Sequence, residues 1–167
     1  MERSVYTFSK EELALVNEGI LVEIDSVITD IDNPMLLLLQ THLYVEHLIE
    51  RFIISELPKG KGLIDKARLT FKQKVLVASS FDVIEADIIS GILKLNVVRN
   101  NLAHKFQHSV KYEDIEAIGF CLGPIYKDIQ AESGKCLIQE FNRISRYLLG
   151  CIATCTHLSE SSSGKNS

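Results

Sequence analysis

Apolar residues recur at intervals of three and four positions through most of this chain, and this spacing limits the fold more than any other feature. A helix turns by about 100° per residue, so residues at this spacing share one side of it, whereas a half-buried strand needs strict alternation. The first such stripe is Leu13, Val16, Ile20, Ile24, Val27 and Ile31. The pattern predicts an all-α protein.

Helix start and stop signals fix the first two predicted helices. Ser9 and Glu12 form a Ser-x-x-Glu capping box before the first helix, which is expected to end near residue 32. Asn33 followed by Pro34 then suits the start of a second helix, with Asn as the cap and Pro at the first position. A loop over residues 58–62 is expected to end that helix.

Four further helices are predicted along the rest of the chain. Their expected ranges are 70–79, 85–106, 112–131 and 135–157. Gly119, Gly123 and Pro124 predict a kink or a break in the third of these four. The buried face of the helix over 85–106 is expected to consist of Ile88, Ile92, Leu95, Val98 and Leu102.

The length and composition indicate one domain. With 167 residues, of which 46% are hydrophobic, the chain can build one core, and we expect a single helical domain over residues 1–158. The long helices and mostly short connections predict an antiparallel bundle of about five to six helices. The polar segment 159–167 is expected to be a disordered tail.

Two classes of protein are disfavoured by the sequence. No apolar run reaches the roughly 18 residues that a membrane span needs, and no secretory signal is visible, so a cytoplasmic protein without a membrane partner is expected. The formal net charge of −4 disfavours a protein that coats nucleic acid by excess positive charge. Contact with nucleic acid should therefore be local.

The four cysteines are expected to be free thiols, because a chain of this size does not need disulfides to hold a core together. Cys151, Cys155 and His157 match no zinc-binding spacing, and a fourth ligand is not evident. We therefore expect no metal and no cofactor.

Positive charge is concentrated in one segment. Residues 88–112 contain no Asp or Glu, and they include Lys94, Arg99, Lys105 and Lys111 with His104 and His108. This composition predicts a local electropositive patch, although an ordinary solvated helix face would have the same composition.

The segment from Arg99 through Asn100 and Asn101 to His104 resembles the signature of the HEPN superfamily, in which Arg and a polar residue precede a His. The segments 41–50 and 71–76 also resemble helices of HEPN-like domains, so the resemblance covers about residues 34–106. It implies a HEPN-like helical bundle. The layout is also similar to the mannitol-operon repressor group, whose members are regulatory proteins.

Helical geometry limits what this motif can do in a single copy. Asn96, Asn100 and His104 follow at four-residue steps and form one polar seam, with Arg99 beside it. Arg99 and His104 lie about 140° apart around the axis, so one helix does not readily bring both to the same atom. A two-fold homodimer would bring Arg of one copy to His of the other. The resemblance implies the same arrangement, since HEPN ribonucleases are understood to work as dimers.

We predict three catalytic residues for cleavage of RNA without a metal. His104 would exchange protons with the ribose 2′-hydroxyl or the leaving 5′-oxygen, because an imidazole titrates near neutral pH. Arg99 would hold the scissile phosphate with its forked donors. Asn100 would orient the imidazole or bind a phosphate oxygen.

The residues that would bind the substrate or position the catalytic groups are predicted from their places in the sequence. Lys105, His108 and Asn96 are candidate substrate-binding residues, although Asn96 also suits a hydrogen bond inside the bundle. Glu46 is a candidate for positioning Arg99. The structural alternative is that Arg99 forms an ion pair with Glu46 or Glu50, while His104 interacts with the dipole at the helix end.

Three functions remain open at this point. The motif favours a homodimeric endoribonuclease, as a toxin or defence component that an antitoxin or another regulatory protein restrains. Phe106 stands where HEPN toxins silenced by nucleotidyl transfer have Tyr, which argues against membership of that group. The alternatives are a catalytically silent HEPN-like adaptor or transcription-associated regulator, and a module that binds a small nucleotide.

Overall fold

The computed structural model describes the backbone of residues 10–28, 31–104 and 109–163, and the side chains of residues 17–28, 31–103 and 109–162. All regular structure within these ranges is helical, which confirms the predicted all-α class, but the ranges contain eight α-helices where about five to six were predicted. The elements are α1 (Lys10–Ile28), α2 (Pro34–Glu56), α3 (Gly60–Ala67), α4 (Phe71–Ser79), α5 (Ala86–His104), α6 (Tyr112–Gly119), a 3₁₀ turn (Phe120–Leu122), α7 (Pro124–Ser133) and α8 (Leu137–Ser163).

Local hydrogen bonds explain where α2 begins. The side-chain oxygen of Asn33 accepts hydrogen bonds from the amides of Met35 and Leu36, at 2.9 and 3.1 Å. Pro34 occupies the first turn, where its missing N–H costs no helical hydrogen bond. The predicted start of the second helix is confirmed, whereas Ser9, the predicted cap of the first, lies outside the described residues.

The segment predicted as a loop over residues 58–62 is partly helical, since α3 begins at Gly60. Gly60 is buried against the end of α2, where a Cβ atom would lie less than 3 Å from backbone atoms of Ile53 and Ile54. The glycine therefore permits close packing of α3 on α2. Sequence pattern alone associates glycine with flexible loops and misses this use.

The predicted break after residue 112 is confirmed. The helix stops at Gly119, and Gly123 has a φ of +60°, a conformation that glycine adopts without strain. Pro124 then starts α7.

The last helix is longer than predicted, because α8 continues through Ser163. Ser159, expected at the start of a disordered tail, is buried and shares a 2.6 Å hydrogen bond with Ser55 of α2. Small hydroxyl side chains allow these two helices to approach closely. The prediction of disorder is thus wrong for residues 159–163, and residues 164–167 lie outside the described part.

Helices α2 and α8 form the central pair of the bundle, and they run in the same direction. The hydroxyl of Thr156 donates to the carbonyl of Leu48 at 3.3 Å, and further along both helices Ser55 meets Ser159. An antiparallel arrangement therefore does not describe this pair. The reason is that five helices separate α2 from α8 in the chain, so no short connection forces them to run in opposite directions.

Helix α1 packs on α8 in the opposite direction. His157 lies 2.9 Å from Glu23, while Arg146, earlier on α8, contacts Asp25, later on α1. Arg51 of α2 also binds Glu23, at 3.0 Å. These polar contacts join α1 to the central pair.

A buried carboxylate joins the last three helices. Glu140 of α8 is fully buried and accepts hydrogen bonds from the hydroxyls of Tyr112 and Tyr126. The ring of Tyr126 packs directly over Gly119 at the end of α6. This cluster holds α6, α7 and α8 together.

The apolar residues form one core, with members from α1, α2, α4, α5, α6, α7 and α8. All four cysteines lie in the described part and are unpaired. Within the same part, no helix combines the length and the apolar character that crossing a membrane requires.

Candidate functional site

Helix α5 supports the predicted motif. Its inner face, with Ile92, Leu95 and Val98, is buried in the core and fixes the rotation of the helix. Asn96, Arg99 and Asn100 consequently lie at the boundary between core and solvent, and all three are partly buried. The buried face of α5 therefore fixes the positions of the motif residues.

Asn96 is held from the neighbouring helix. The Nε2 atom of His42, on α2, lies 3.0 Å from the Oδ1 atom of Asn96, so the ring donates its proton to the amide oxygen. The His42 ring is 6% exposed and stacks on Phe71 of α4, with 4.1 Å between ring centroids. Asn96 thus makes the inter-helix hydrogen bond that was one of its two predicted roles.

Arg99 and Asn100 bind each other. The Nη1 atom of Arg99 donates to the Oδ1 atom of Asn100 at 3.1 Å. Guanidinium has five N–H donors in a fixed plane, so this contact uses only a fraction of its capacity. Within the described part of the chain, the other N–H groups of this guanidinium have no hydrogen-bond partner, so they are free to bind a ligand.

These contacts leave the site richer in free hydrogen-bond donors than in free acceptors. We call His42, Asn96, Arg99 and Asn100 the donor cluster. Both amide oxygens in it accept from protein donors, and the described residues supply no partner for the two amide nitrogens. An asparagine whose oxygen accepts one hydrogen bond keeps two N–H donors and one free lone pair. Donors therefore outnumber acceptors in the cluster, which suits a ligand rich in acceptors, as a phosphate is.

The carboxylates of Glu46 and Glu50 form ion pairs with Lys74. Lys74 of α4 lies 2.6 Å from Glu46 and also binds Glu50, both on α2. Burial alone would lower the pKa of Lys74, but the hydrogen bonds that its ammonium donates to the two carboxylates raise the pKa above its ordinary value. Among the described residues, Arg99 has no carboxylate within ion-pair distance, so the ion pair with Glu46 or Glu50 considered above does not form. Glu46 contacts Lys74, and its role in positioning Arg99 stays a prediction.

The pKa of His42 is lowered, first by burial and also by the positive charge of Arg99, while the hydrogen bond to Asn96 and the charge of Glu46 oppose the shift. The ordinary value, which applies to the unfolded chain, is 6.5. Around and just below pH 6.5 the unfolded state therefore binds more protons than the folded state. The free energy of unfolding should fall as the pH drops through this range.

We expect His42→Gln, which keeps a donor for Asn96, to lose part of this pH dependence. Urea unfolding of parent and variant at about pH 7.5 and about pH 5.5 measures the effect. The difference between the two pH values should be smaller for the variant, because its residue 42 does not titrate. An equal pH dependence for the two proteins would contradict the assignment.

Three predicted residues lie at the edge of what the structure describes. His104 is the last residue of α5, but its side chain, and Lys105 and His108 entirely, lie outside the described residues. The structure thus brings together Asn96, Arg99 and Asn100 and leaves the position of the imidazole of His104 as a prediction.

His42 is the site residue that sequence reasoning missed. A signal was present, because His42 adjoins Thr41 on the stripe of buried residues of α2. A buried polar side chain needs a hydrogen-bond partner, so its presence on that face indicated a polar contact between helices.

A surface cleft lies elsewhere and contains none of the predicted site residues. Its volume is about 650 Å³, and it is lined by Ile31, Asp32, Ile138, Gln139, Asn142, Arg143 and Arg146. Both arginines have carboxylate partners, Arg143 with Glu132 and Arg146 with Asp25. The donor cluster is the better candidate because its guanidinium has no carboxylate partner in the part of the chain that the structure describes.

Among the described side chains, no group of three or more His, Cys, Asp and Glu is arranged to hold a metal ion. Comparisons of the chain with protein-family models, with curated proteins and with solved structures find no match.

Proposed function

We propose that this protein is a metal-independent endoribonuclease of the HEPN type that acts as a homodimer. The observation that supports the proposal best is the donor cluster, in which Arg99 has no carboxylate partner among the described residues and both neighbouring amides offer donors. Phosphodiester oxygens accept hydrogen bonds and carry negative charge, so they complement this arrangement. A toxin or defence role under the control of an antitoxin is part of the proposal.

The proposed reaction uses the ribose 2′-hydroxyl as nucleophile. His104 of one copy takes the proton of this hydroxyl while the 2′-oxygen forms a bond to phosphorus. The bond to the 5′-oxygen then breaks, and that oxygen takes a proton from the imidazolium of His104 or from water. Arg99 of the other copy stabilises the negative charge that develops on the phosphate oxygens. The products are a 2′,3′-cyclic phosphate and a 5′-hydroxyl.

The second candidate is a catalytically silent adaptor or regulator that binds a nucleotide or a partner protein. The same donor cluster fits the phosphate of a nucleotide without requiring cleavage. Exposed leucines on α2, close to His42, would also suit a protein partner.

Purified protein incubated with RNA in excess EDTA tests the choice between these functions. The parent should cut RNA and leave 2′,3′-cyclic phosphate ends, which resist a phosphatase that removes only monoesters. His104→Ala should reduce the rate by about 10²-fold to 10⁴-fold, because it removes the proton-transfer group. Intact RNA with the parent, or equal cleavage by the variant, would reject the nuclease, and binding of a nucleotide without cleavage would favour the second candidate.

A further inference from the structure

Two adjacent depressions lie on the surface where the start of α5 meets α8. Their volumes are about 330 and about 300 Å³, and Glu85, Ile88 and Tyr147 line both of them. The shared residues make them two halves of one groove, which we call the α5–α8 groove. Neither half contains a residue of the donor cluster. Depressions of this size are typical of sites for small molecules.

The walls of the α5–α8 groove are mostly apolar. The first half lies between α5, the 3₁₀ turn and the start of α7, and the second half lies between α5 and α8. Their apolar side chains are Ile88, Leu122, Pro124 and Ile125 in the first half, and Val83, Ile84 and Ile88 in the second. An apolar ligand would remove part of this surface from water, which favours binding.

Acidic side chains supply the charge of the groove. Glu85 lines both halves and Asp87 lines the first, whereas the residues that line the two halves include no Lys, Arg or His. In the described part of the chain, neither carboxylate has a cation within ion-pair distance. The formal charge of −4 on the whole chain has the same sign. The groove therefore attracts cations and repels anions.

Two cysteines line the second half and carry no charge near neutral pH. Burial raises the pKa of the Cys155 thiol to about 11, and the charge of Glu85 adds to this shift. Burial and Glu85 also raise the pKa of Cys151, although a hydrogen bond with Tyr147 opposes the change. The groove thus has an acidic part at Glu85 and Asp87 and an uncharged part at the two thiols.

Tyr147 lies where the two halves join, and it is partly exposed. Its pKa is raised, first by burial and then by Cys151, and the charges of Glu85 and Asp87 contribute as well. The ring is therefore close enough to both carboxylates to be within their field. An aromatic ring and carboxylates side by side are groups that bind ammonium ions.

We propose that the α5–α8 groove binds a small organic cation, with its ammonium group near Glu85, Asp87 and the ring of Tyr147 and its apolar body over the two thiols. The proposal does not depend on the proposed function, because the groove and the donor cluster share no residue. A small molecule is the fitting occupant, since a protein partner needs a surface of roughly 800 Å² on each side.

A pair of probes with the same apolar body tests the charge preference. 2-Phenylethylamine is a cation at neutral pH, and 2-phenylethanol is its neutral counterpart. In titrations followed by NMR, the amine should bind the parent protein with a Kd on the order of 1 mM, as suits a ligand of few atoms. The alcohol should bind about tenfold more weakly, because it lacks the charge that the carboxylates attract. The amide signals that shift should belong to residues 83–88 and 147–155.

Substitution of the two acids tests the source of the preference. Glu85→Gln combined with Asp87→Asn should bind the amine about tenfold more weakly than the parent does, and no better than the alcohol. Both positions are exposed, so the fold should be retained, and circular dichroism checks this. Asp65→Asn is the matched control, because Asp65 is exposed on α3 and does not line the groove; it should keep the preference of the parent.

The thiols report where the amine binds without any substitution. Near-saturating amine should slow the reaction of Cys151 and Cys155 with iodoacetamide several-fold, while Cys136, which does not line the groove, reacts at an unchanged rate. Equal binding of amine and alcohol, or a preference that survives in the double variant, would overturn the proposal. Binding of the amine that leaves both thiols unprotected would place it elsewhere and overturn the proposal too. Binding of a lysine-rich peptide without binding of the amine would replace the small molecule with a protein partner.

Discussion

Arg99→Ala is expected to lower kcat/KM for RNA cleavage by about 10³-fold, because the phosphate loses its charged donor in the transition state. Arg99 has no carboxylate partner among the described residues, so the substitution leaves no unpaired acid behind. The fold should therefore be retained, and the loss should appear mainly in kcat. Single-turnover cleavage of a short labelled RNA measures it.

Arg99→Lys distinguishes charge from geometry. A lysine keeps the positive charge but lacks the planar fork, so it should recover only a small part of the lost activity. Arg143→Ala is the control, because it removes a guanidinium whose partner is the exposed Glu132. Parent-like cleavage by Arg99→Ala would contradict the assignment, and an equal loss with Arg143→Ala would point to a general effect of charge.

Gly119→Ala is expected to lower the free energy of unfolding by about 3 kcal/mol, the largest effect on stability that we predict. The added Cβ would lie within 3 Å of three atoms of the Tyr126 ring. That ring cannot move aside cheaply, since it is buried and its hydroxyl donates to the buried Glu140. Urea unfolding followed by circular dichroism measures the change.

Gly19→Ala provides the matched control for this substitution. Gly19 lies within α1, and a Cβ there meets nothing within 4 Å. Alanine favours the helix over glycine by up to about 1 kcal/mol, so this variant should be as stable as the parent or more stable. If Gly119→Ala behaved like Gly19→Ala, the close packing of Tyr126 on α6 would be refuted.

The parts of the fold that the sequence predicts well are set by neighbouring residues. Asn33 caps α2 by accepting from amides two and three positions ahead, and Gly119, Gly123 and Pro124 interrupt the chain through their own backbone preferences. Such effects need no knowledge of the rest of the molecule.

The parts that the sequence predicts badly depend on packing between helices. Gly60 starts a helix because it fits against Ile53, and Ser159 is ordered because it meets Ser55. Glycine and serine favour loops when they are considered alone. Their role here follows from partners on α2, which a local pattern does not contain.

The candidate site also contains some features that the sequence predicts and others that depend on packing between helices. The sequence identifies Arg99, Asn100 and Asn96 because they share one helix, and helical spacing places them together. The hydrogen bond between His42 and Asn96 joins residues 54 positions apart, and Lys74 reaches Glu46 across 28 positions. Only the packing of α2, α4 and α5 brings these groups into contact.

The sequence by itself determined that the chain is helical and where most of its helices begin, because helical periodicity and capping act within a few residues. The tertiary structure decided that Lys74 takes the carboxylates of α2 and that Arg99 binds Asn100. The physical reason is that a side chain pairs with the groups nearest to it in space, and those groups are set by how the whole core packs.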